Sequence, residues 1–153
     1  MSQGVTAASR NLKKLLDDPK IIFVVGGPAA GKRTQCEQIA HEFEFECLSM
    51  DDMMQAEAQK GSKLGERIKK AVKGGRDVPF DIIVQVLING LIATPSKTKT
   101  YVINGFPQSL EQAVFFEKNV IEAHQILYYD IPEAQMVERS LLKAKTSGRR
   151  SDD

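Results

Sequence analysis

Lys32 and Thr34 stand directly behind a run of small residues in "VVGGPAAGKRTQ", residues 24–35. The spacing is G-x-x-x-x-G-K, from Gly26 and Gly27 through Pro28, Ala29 and Ala30 to Gly31 and Lys32. The chemistry such a run suits is phosphate binding. Successive backbone N–H groups turn inward, a helix N-terminus faces the anion, and glycines allow the dihedrals and the close approach. In that arrangement Lys32 reaches the β and γ phosphates and Thr34 lies near a Mg²⁺ ion. Two positions depart from the pattern. Ala29 takes a place where glycine is preferred, and a positive φ there costs alanine about 1 kcal/mol. Arg33 replaces a small residue beside Lys32, and its guanidinium either pairs with phosphate or crowds it.

A phosphate loop needs a strand before it and a helix after it. "KIIFVV" is a continuous β-branched run of the kind buried on both faces, and "KRTQCEQIAHEF" follows at helical period. Residues 51–80 read as helices, broken near Gly61, and Val78-Pro79 opens another, "FDIIVQVLINGLIA". Two more apolar runs, "TYVING" and "QILYYDI", alternate with helical segments, the last being "EAQMVERSLLKAK". That alternation predicts an α/β fold, a parallel sheet flanked by helices in three layers. Before it, residues 1–19 form a preface whose short helix has Ser9 as its cap and Leu12, Leu15 and Leu16 on one face.

At 153 residues, 42% apolar and 27% charged, the chain is expected to form one domain over residues 20–153 behind that preface. A net charge of +1 gives no basic field for nucleic acid and no polybasic membrane anchor. "IIFVV" is too short to span a bilayer and the first residues lack a secretory core, so the expected location is cytoplasmic. The two cysteines, Cys36 and Cys47, have neither C-x-x-C spacing nor histidine partners and read as small core residues. His41 and His124 read as surface or packing residues, Met53 and Met54 as core, Tyr128 and Tyr129 as packing on opposite faces of a strand. "ERIKKAVKGGR" reads as a solvated helix face without the aromatics a nucleic-acid site would need.

The glycine loop, "TQCEQIAHEFEFECLS", "GGRDVP", "NGFPQ" and "SGRRSDD" follow one another in an order and spacing that resemble the short-lid adenylate kinases and the related UMP-CMP kinases. The resemblance implies the P-loop NTPase fold and the reaction ATP + AMP to two ADP, with Mg²⁺ carried on ATP. Residue by residue, it implies that Gly26, Gly27, Pro28, Ala29, Ala30, Gly31, Lys32, Arg33 and Thr34 hold the ATP phosphates and that Arg139 packs on the ATP adenine. Val78 and the Gly75 region line the acceptor base, which Gln112 reads. Lys32, Lys143 and Arg149 serve the transfer, Arg149 as a lid arginine beside the acidic pair Asp152 and Asp153, with residues 143–153 starting a short lid. Thr34 and Asn104 touch the metal through water. Gly105 and Gln108 belong to the acceptor side with Gln55.

The departures fall on that acceptor side. The family motif resembling "SMDDMMQ" has threonine at Met50, glycine at Asp51 and a phosphate-binding arginine at Gln55. In "NGFPQ" the family has aspartate at Asn104 and arginine at Gln108, and Lys143 stands where it has a lid arginine. Phosphoryl transfer is mostly positioning and neutralisation of charge, and one arginine contributes roughly 10³ to 10⁵ in rate. Catalysis is therefore expected to be weak or lost, with AMP or another nucleoside monophosphate bound poorly and ATP or ADP retained.

The family's last strand and helix would come after Asp153, so four strands are expected, with "QILYYDI" on an exposed edge open to a protein partner. A shortened chain, a partner that completes the sheet, and a natural short form stay open as explanations. Two functions compete: a nucleoside monophosphate kinase with altered acceptor preference, and a non-catalytic nucleotide-binding module for assembly or sensing.

Overall fold

The computed structural model describes residues 11–146. Its scaffold is a four-stranded parallel sheet in the order β2-β3-β1-β4, built from β1 (Lys20–Gly26), β2 (Glu46–Ser49), β3 (Thr100–Asn104) and β4 (Gln125–Tyr129). The helices are α1 (Lys32–Phe43), α2 (Met50–Gln59), α3 (Lys63–Lys73), α4 (Phe80–Ala93), α5 (Leu110–Asn119) and α6 (Glu133–Thr146). This is the expected P-loop arrangement, strand, glycine loop, helix, with four strands and a crossover helix or helices between each parallel pair.

Strand alternation divides the core between the two faces. Ile21 and Phe23 of β1, Leu48 of β2 and Ile103 of β3 meet α4 and α5 in the larger cluster, where Phe23, Phe106 and Phe116 pack edge to face with centroids 5.4 to 5.7 Å apart. Such rings prefer this T-shaped geometry because a positive edge meets a negative face. The opposite face places Ile22, Val24 and Val102 under Cys36 of α1, with Cys47, Leu127 and Tyr129 around them. The register Cys47↔Val102 and Ile22↔Val102 brings these side chains to one side of the sheet. β3 is buried along its whole length, as its central position requires.

Local signals account for the helix starts. Ser49, Ser62 and Ser109 cap α2, α3 and α5, each hydroxyl accepting from a backbone N–H at 3.5, 2.9 and 3.2 Å. The break near Gly61 is present, with φ of 69° allowing the chain to reverse between α2 and α3. A helical turn at 11–15 buries Leu12 and packs Leu16 at the core, but Leu15 is exposed, because one short turn cannot present all three leucines to the same surface. Ser9 lies outside the described residues. β4 is an edge strand, with Ile126 and Tyr128 exposed at 56% and 69%, and α6 buries none of its residues among those described.

Candidate functional site

The glycine loop leaves β1 against β4: a Cβ on Gly26 would lie 2.9 Å from the carbonyl oxygen of Tyr129, so only glycine fits. Gly31, in the left-handed region at φ 86°, turns the chain into α1, whose first amides have no side-chain cap. Ala29 takes the positive φ its sequence position implied, 54°, with its methyl buried. Lys32 is 6% exposed, and its Nζ donates to the carbonyls of Gly27 at 2.8 Å and Gly26 at 3.2 Å. The ammonium is thus held over the loop by bonds it can exchange for phosphate oxygens.

A cavity of about 480 Å³ opens over this loop, lined by Gly26, Gly27, Pro28 and Lys32 on one side and by Gly105, Pro107 and Gln108 on the other. Tyr128 closes its β4 side, a role different from the packing expected of it, while Tyr129 does pack in the core. Across the loop, Arg139 of α6 brings Nη1 to 3.9 Å from where a Gly31 Cβ would stand, and Met136 covers Gly27. Lys143, one turn further along α6, is half-buried. Arg149, Asp152 and Asp153 lie outside the described residues. Thr34 is exposed on α1 and lines a shallow surface with Gln38 and His41 rather than the cavity holding Lys32.

Arg33 does not line the loop cavity. Its guanidinium reaches across to α2, 2.5 Å from Asp52, and back to Glu37 at 3.4 Å, so it ties the first turn of α1 to the first turn of α2. Below that bridge a cavity of about 320 Å³ is lined by Arg33, Asp52, Ser49, Cys47 and Asn104. Asn104 is 1% exposed, and its Oδ1 has no hydrogen-bond partner.

That orphaned oxygen bears on whether a metal fits. A buried carbonyl oxygen with open lone pairs can accept from a water of a hydrated Mg²⁺. Among the described residues no group of three His, Cys, Asp or Glu converges to form a protein cage. The donors therefore suit an ion that arrives on nucleotide phosphates and keeps its waters, with Asn104 as an outer partner; Thr34, on the surface beside Gln38 and His41, is not brought to the same space.

The second large cavity, about 860 Å³, lies between α2, α3 and the turn after β3. It collects Gln55, Val78, Gln108 and Gln112, residues far apart in sequence. Gln108 lines both this space and the loop cavity. Gln112 uses its Oε1 to accept from the Gln108 backbone N–H at 2.8 Å, which fixes the turn. Gly105, at φ 84°, brings its backbone close to Met50, with 3.1 Å between a Cβ there and the Met50 Cβ. Sequence reasoning missed Lys69 and Lys73, which line this cavity from α3 opposite Asp51 and Asp77. Their i, i+4 spacing beside the buried Ile68 was the available signal. Lys69 also pairs with Glu66 at 3.0 Å.

The cysteines come to the same face of the sheet, Cys47 packed against the small cluster that holds Cys36. The neighbouring Cys47 and burial push the Cys36 thiol up, and the neighbouring Cys36 holds Cys47 below its ordinary value against burial. Cys36 is the core residue expected, whereas Cys47 is half-buried and reaches the smaller cavity.

Comparison with known proteins places these sites in context. The chain matches the adenylate kinase family, described as "Adenylate kinase", over residues 24–149. It is 42% identical to the uridylate kinase of Saccharomyces cerevisiae over 139 residues, covering 90% of this chain and 68% of that protein. It is 38% identical to adenylate kinase isoenzyme 1 of Gallus gallus over 134 residues, 88% of this chain and 69% of the relative. With the UMP-CMP kinase of Lentinula edodes it shares 36% identity over 144 residues, 63% of that protein. The match begins within β1 and continues through every helix that borders the two cavities, and on that extent of likeness the chain belongs to the adenylate kinase family.

Proposed function

We propose that this chain is a nucleotide-binding member of its family in which transfer from ATP to AMP is weak or lost. The observation that carries the reading is the charge lining the two cavities: Lys32 stands over the loop, and the acceptor cavity holds Lys69 and Lys73 with Asp51 and Asp77, beside Gln55 and Gln108, with no arginine in either lining among the described residues. A phosphate dianion placed there meets the Gln55 and Gln108 amides, which donate hydrogen bonds without charge, and two lysines whose charge is offset by Asp51 and Asp77.

The donor side is better equipped. The uncapped start of α1 and the inward-turned loop amides of residues 26–31 receive ATP phosphates, Lys32 exchanges its loop carbonyls for phosphate oxygens, and Arg139 covers the adenine side. Mg²⁺, when bound with ATP, neutralises charge on the transferring group. Asn104 would hold one of its waters without the negative charge of an aspartate, and Thr34 would take part only by turning from the surface it now lines. Lys143 and Arg149 complete the donor-side cations in this proposal. The partners are ATP or ADP and, weakly, AMP or another nucleoside monophosphate. A cytoplasmic location belongs to the same reading; no described helix is long and apolar enough to cross a membrane.

Isothermal titration with ATP–Mg²⁺ and separately with AMP, followed by a coupled assay for ADP, tests this. The expected result is ATP binding, weak AMP binding and no measurable ADP. In the double variant Gln55→Arg, Gln108→Arg, AMP affinity should rise at least roughly tenfold, because each charge-assisted bond contributes about 1.5–3 kcal/mol. Turnover of AMP, UMP or CMP by the unaltered chain at about 1 s⁻¹ or faster, the range of ordinary kinases, would overturn the reading.

A second reading, a non-catalytic assembly or sensor module, is favoured by one observation: the open edge of β4 exposes Ile126 and Tyr128 beside the loop cavity. Such a module needs ATP or ADP alone, and a protein partner at that edge should bind differently to the nucleotide-loaded and free chain.

A further inference from the structure

The chain contains two cysteines, and the fold packs Cys47 against the small core cluster that holds Cys36. Cys47 is aligned with Val102 on β3, and Val102 with Ile22 on β1, so all three present their side chains to the face that α1 covers. Cys36 comes down from α1 onto that face, fully buried at the centre of the smaller core cluster. Cys47 sits at the cluster's margin and lines the cavity of about 320 Å³ between α1 and α2, where the Arg33 guanidinium is also found. One sulfur is therefore reachable from outside and the other is reachable only from its neighbour. Arg33 shares that cavity with Glu37 and Asp52, the carboxylates it pairs with, so access rather than charge singles out Cys47; a thiol open to small molecules is oxidised before a buried one, and a second thiol packed near it resolves the product as a disulfide.

We propose that Cys36 and Cys47 form a reversible oxidation site, in which a hydroperoxide entering the cavity oxidises Cys47 and Cys36 then closes an intramolecular disulfide with it. In the first step the Cys47 thiolate attacks the distal peroxide oxygen, the O–O bond breaks, and hydroxide leaves. Cys47 becomes a sulfenic acid, having given up two electrons to the peroxide. In the second step the Cys36 sulfur attacks the Cys47 sulfur, the S–O bond breaks, and the hydroxyl departs as water with the Cys36 proton. A dithiol reductant reverses the reaction. The bond ties α1, which starts at Lys32, to β2, which runs directly into the cap of α2 at Ser49. It thereby fastens the helix of the glycine loop to the strand that feeds the acceptor cavity, and it does so whether or not the chain transfers phosphate.

The test is hydrogen peroxide treatment of the full chain at low concentration, followed by thiol blocking and peptide mass mapping under non-reducing conditions. The expected product is a peptide pair linked through Cys36 and Cys47, lighter by two hydrogens and restored by dithiothreitol. The Cys36→Ser variant should stop at a Cys47 sulfenic acid that dimedone traps, and the Cys47→Ser variant should oxidise at Cys36 at least ~10-fold more slowly. Accumulation of Cys47 sulfinic acid beside an intact Cys36 thiol, an intermolecular dimer through Cys47, or two thiols surviving in the unaltered chain would each refute the proposal. Mapping of the unaltered chain decides the matter even if a variant folds poorly.

Discussion

Ser62 shows how much can rest on one hydroxyl. Its Oγ accepts from the Gly65 N–H at 2.9 Å, capping α3, and donates to the buried Glu57 carboxylate at 2.6 Å, while Lys60 Nζ donates to the other carboxylate oxygen at 3.0 Å. Those two hydrogen bonds, the Ser62 one foremost, hold the Glu57 pKa below its ordinary value although burial works the other way. The sign follows from linkage: a depressed folded-state pKa stabilises above the ordinary carboxylate range and stops doing so as pH falls through the depressed value. Ser62→Ala removes a cap and a charge-assisted bond, and should cost about 2 kcal/mol at pH 7. Urea denaturation should find the penalty shrinking as pH falls through the depressed value, below which Glu57 is protonated in both states; a penalty that does not change as pH falls would mean the cap alone matters. The break near Gly61 was legible from sequence. The bond between Ser62 and Glu57 was not, because it depends on how α2 and α3 fold back on each other there. The same contrast holds at the loop: the positive φ of Ala29 followed from its place between glycines, whereas the destination of Arg33 was fixed by Asp52, on another helix.

At the scale of elements, α4 and α6 are the instructive pair. Both have 14 residues, but α4 buries six, including Leu87, Ile88 and Leu91, and α6 buries none among those described. Local opening is least costly where few apolar contacts are lost. Native-state amide exchange should therefore run at least ~10²-fold faster in α6 than in α4, since a difference of a few kcal/mol in opening free energy translates directly into protection. Addition of ATP should slow exchange near Arg139, whose guanidinium lies over the start of α1. Equal protection in the two helices would show that α6 is held by something its burial does not reveal. The elements themselves could be read in advance because their signals are local: a β-branched run for β1, a helical period after the glycine loop, a glycine break between two helices. What joins elements could not be read so far. Gln55, Val78, Gln108 and Gln112 were grouped through family resemblance, and the fold brings them to one cavity; Lys69 and Lys73 join them from a helix whose charges looked merely solvated. The contact between Cys36 and Cys47 likewise exists only once β2 and α1 share a face of the sheet.

For the whole molecule, the exposed side of β4 sets the terms of its behaviour in solution. An edge strand offers unpaired backbone groups, and here it adds Ile126 and Tyr128, with Val137, Leu141 and Leu142 exposed on α6. A net charge of +1 supplies little general repulsion between copies. Edge-to-edge association therefore competes with the monomer, more so as concentration or temperature rises. A charge placed on such a strand opposes that association at little cost when the side chain it replaces is mostly in water. Ile126→Lys should accordingly raise the onset temperature of light scattering while changing the urea midpoint by no more than about 0.5 kcal/mol equivalent. Tyr128 is the poorer choice for this test because it lines the loop cavity, so a change there would mix solubility with nucleotide binding. If Ile126→Lys instead destabilised the fold by more than about 1.5 kcal/mol, the Ile126 side chain would have to be buried in solution. The edge would then already be covered there, and a second copy of the chain would be the first occupant to look for by sedimentation.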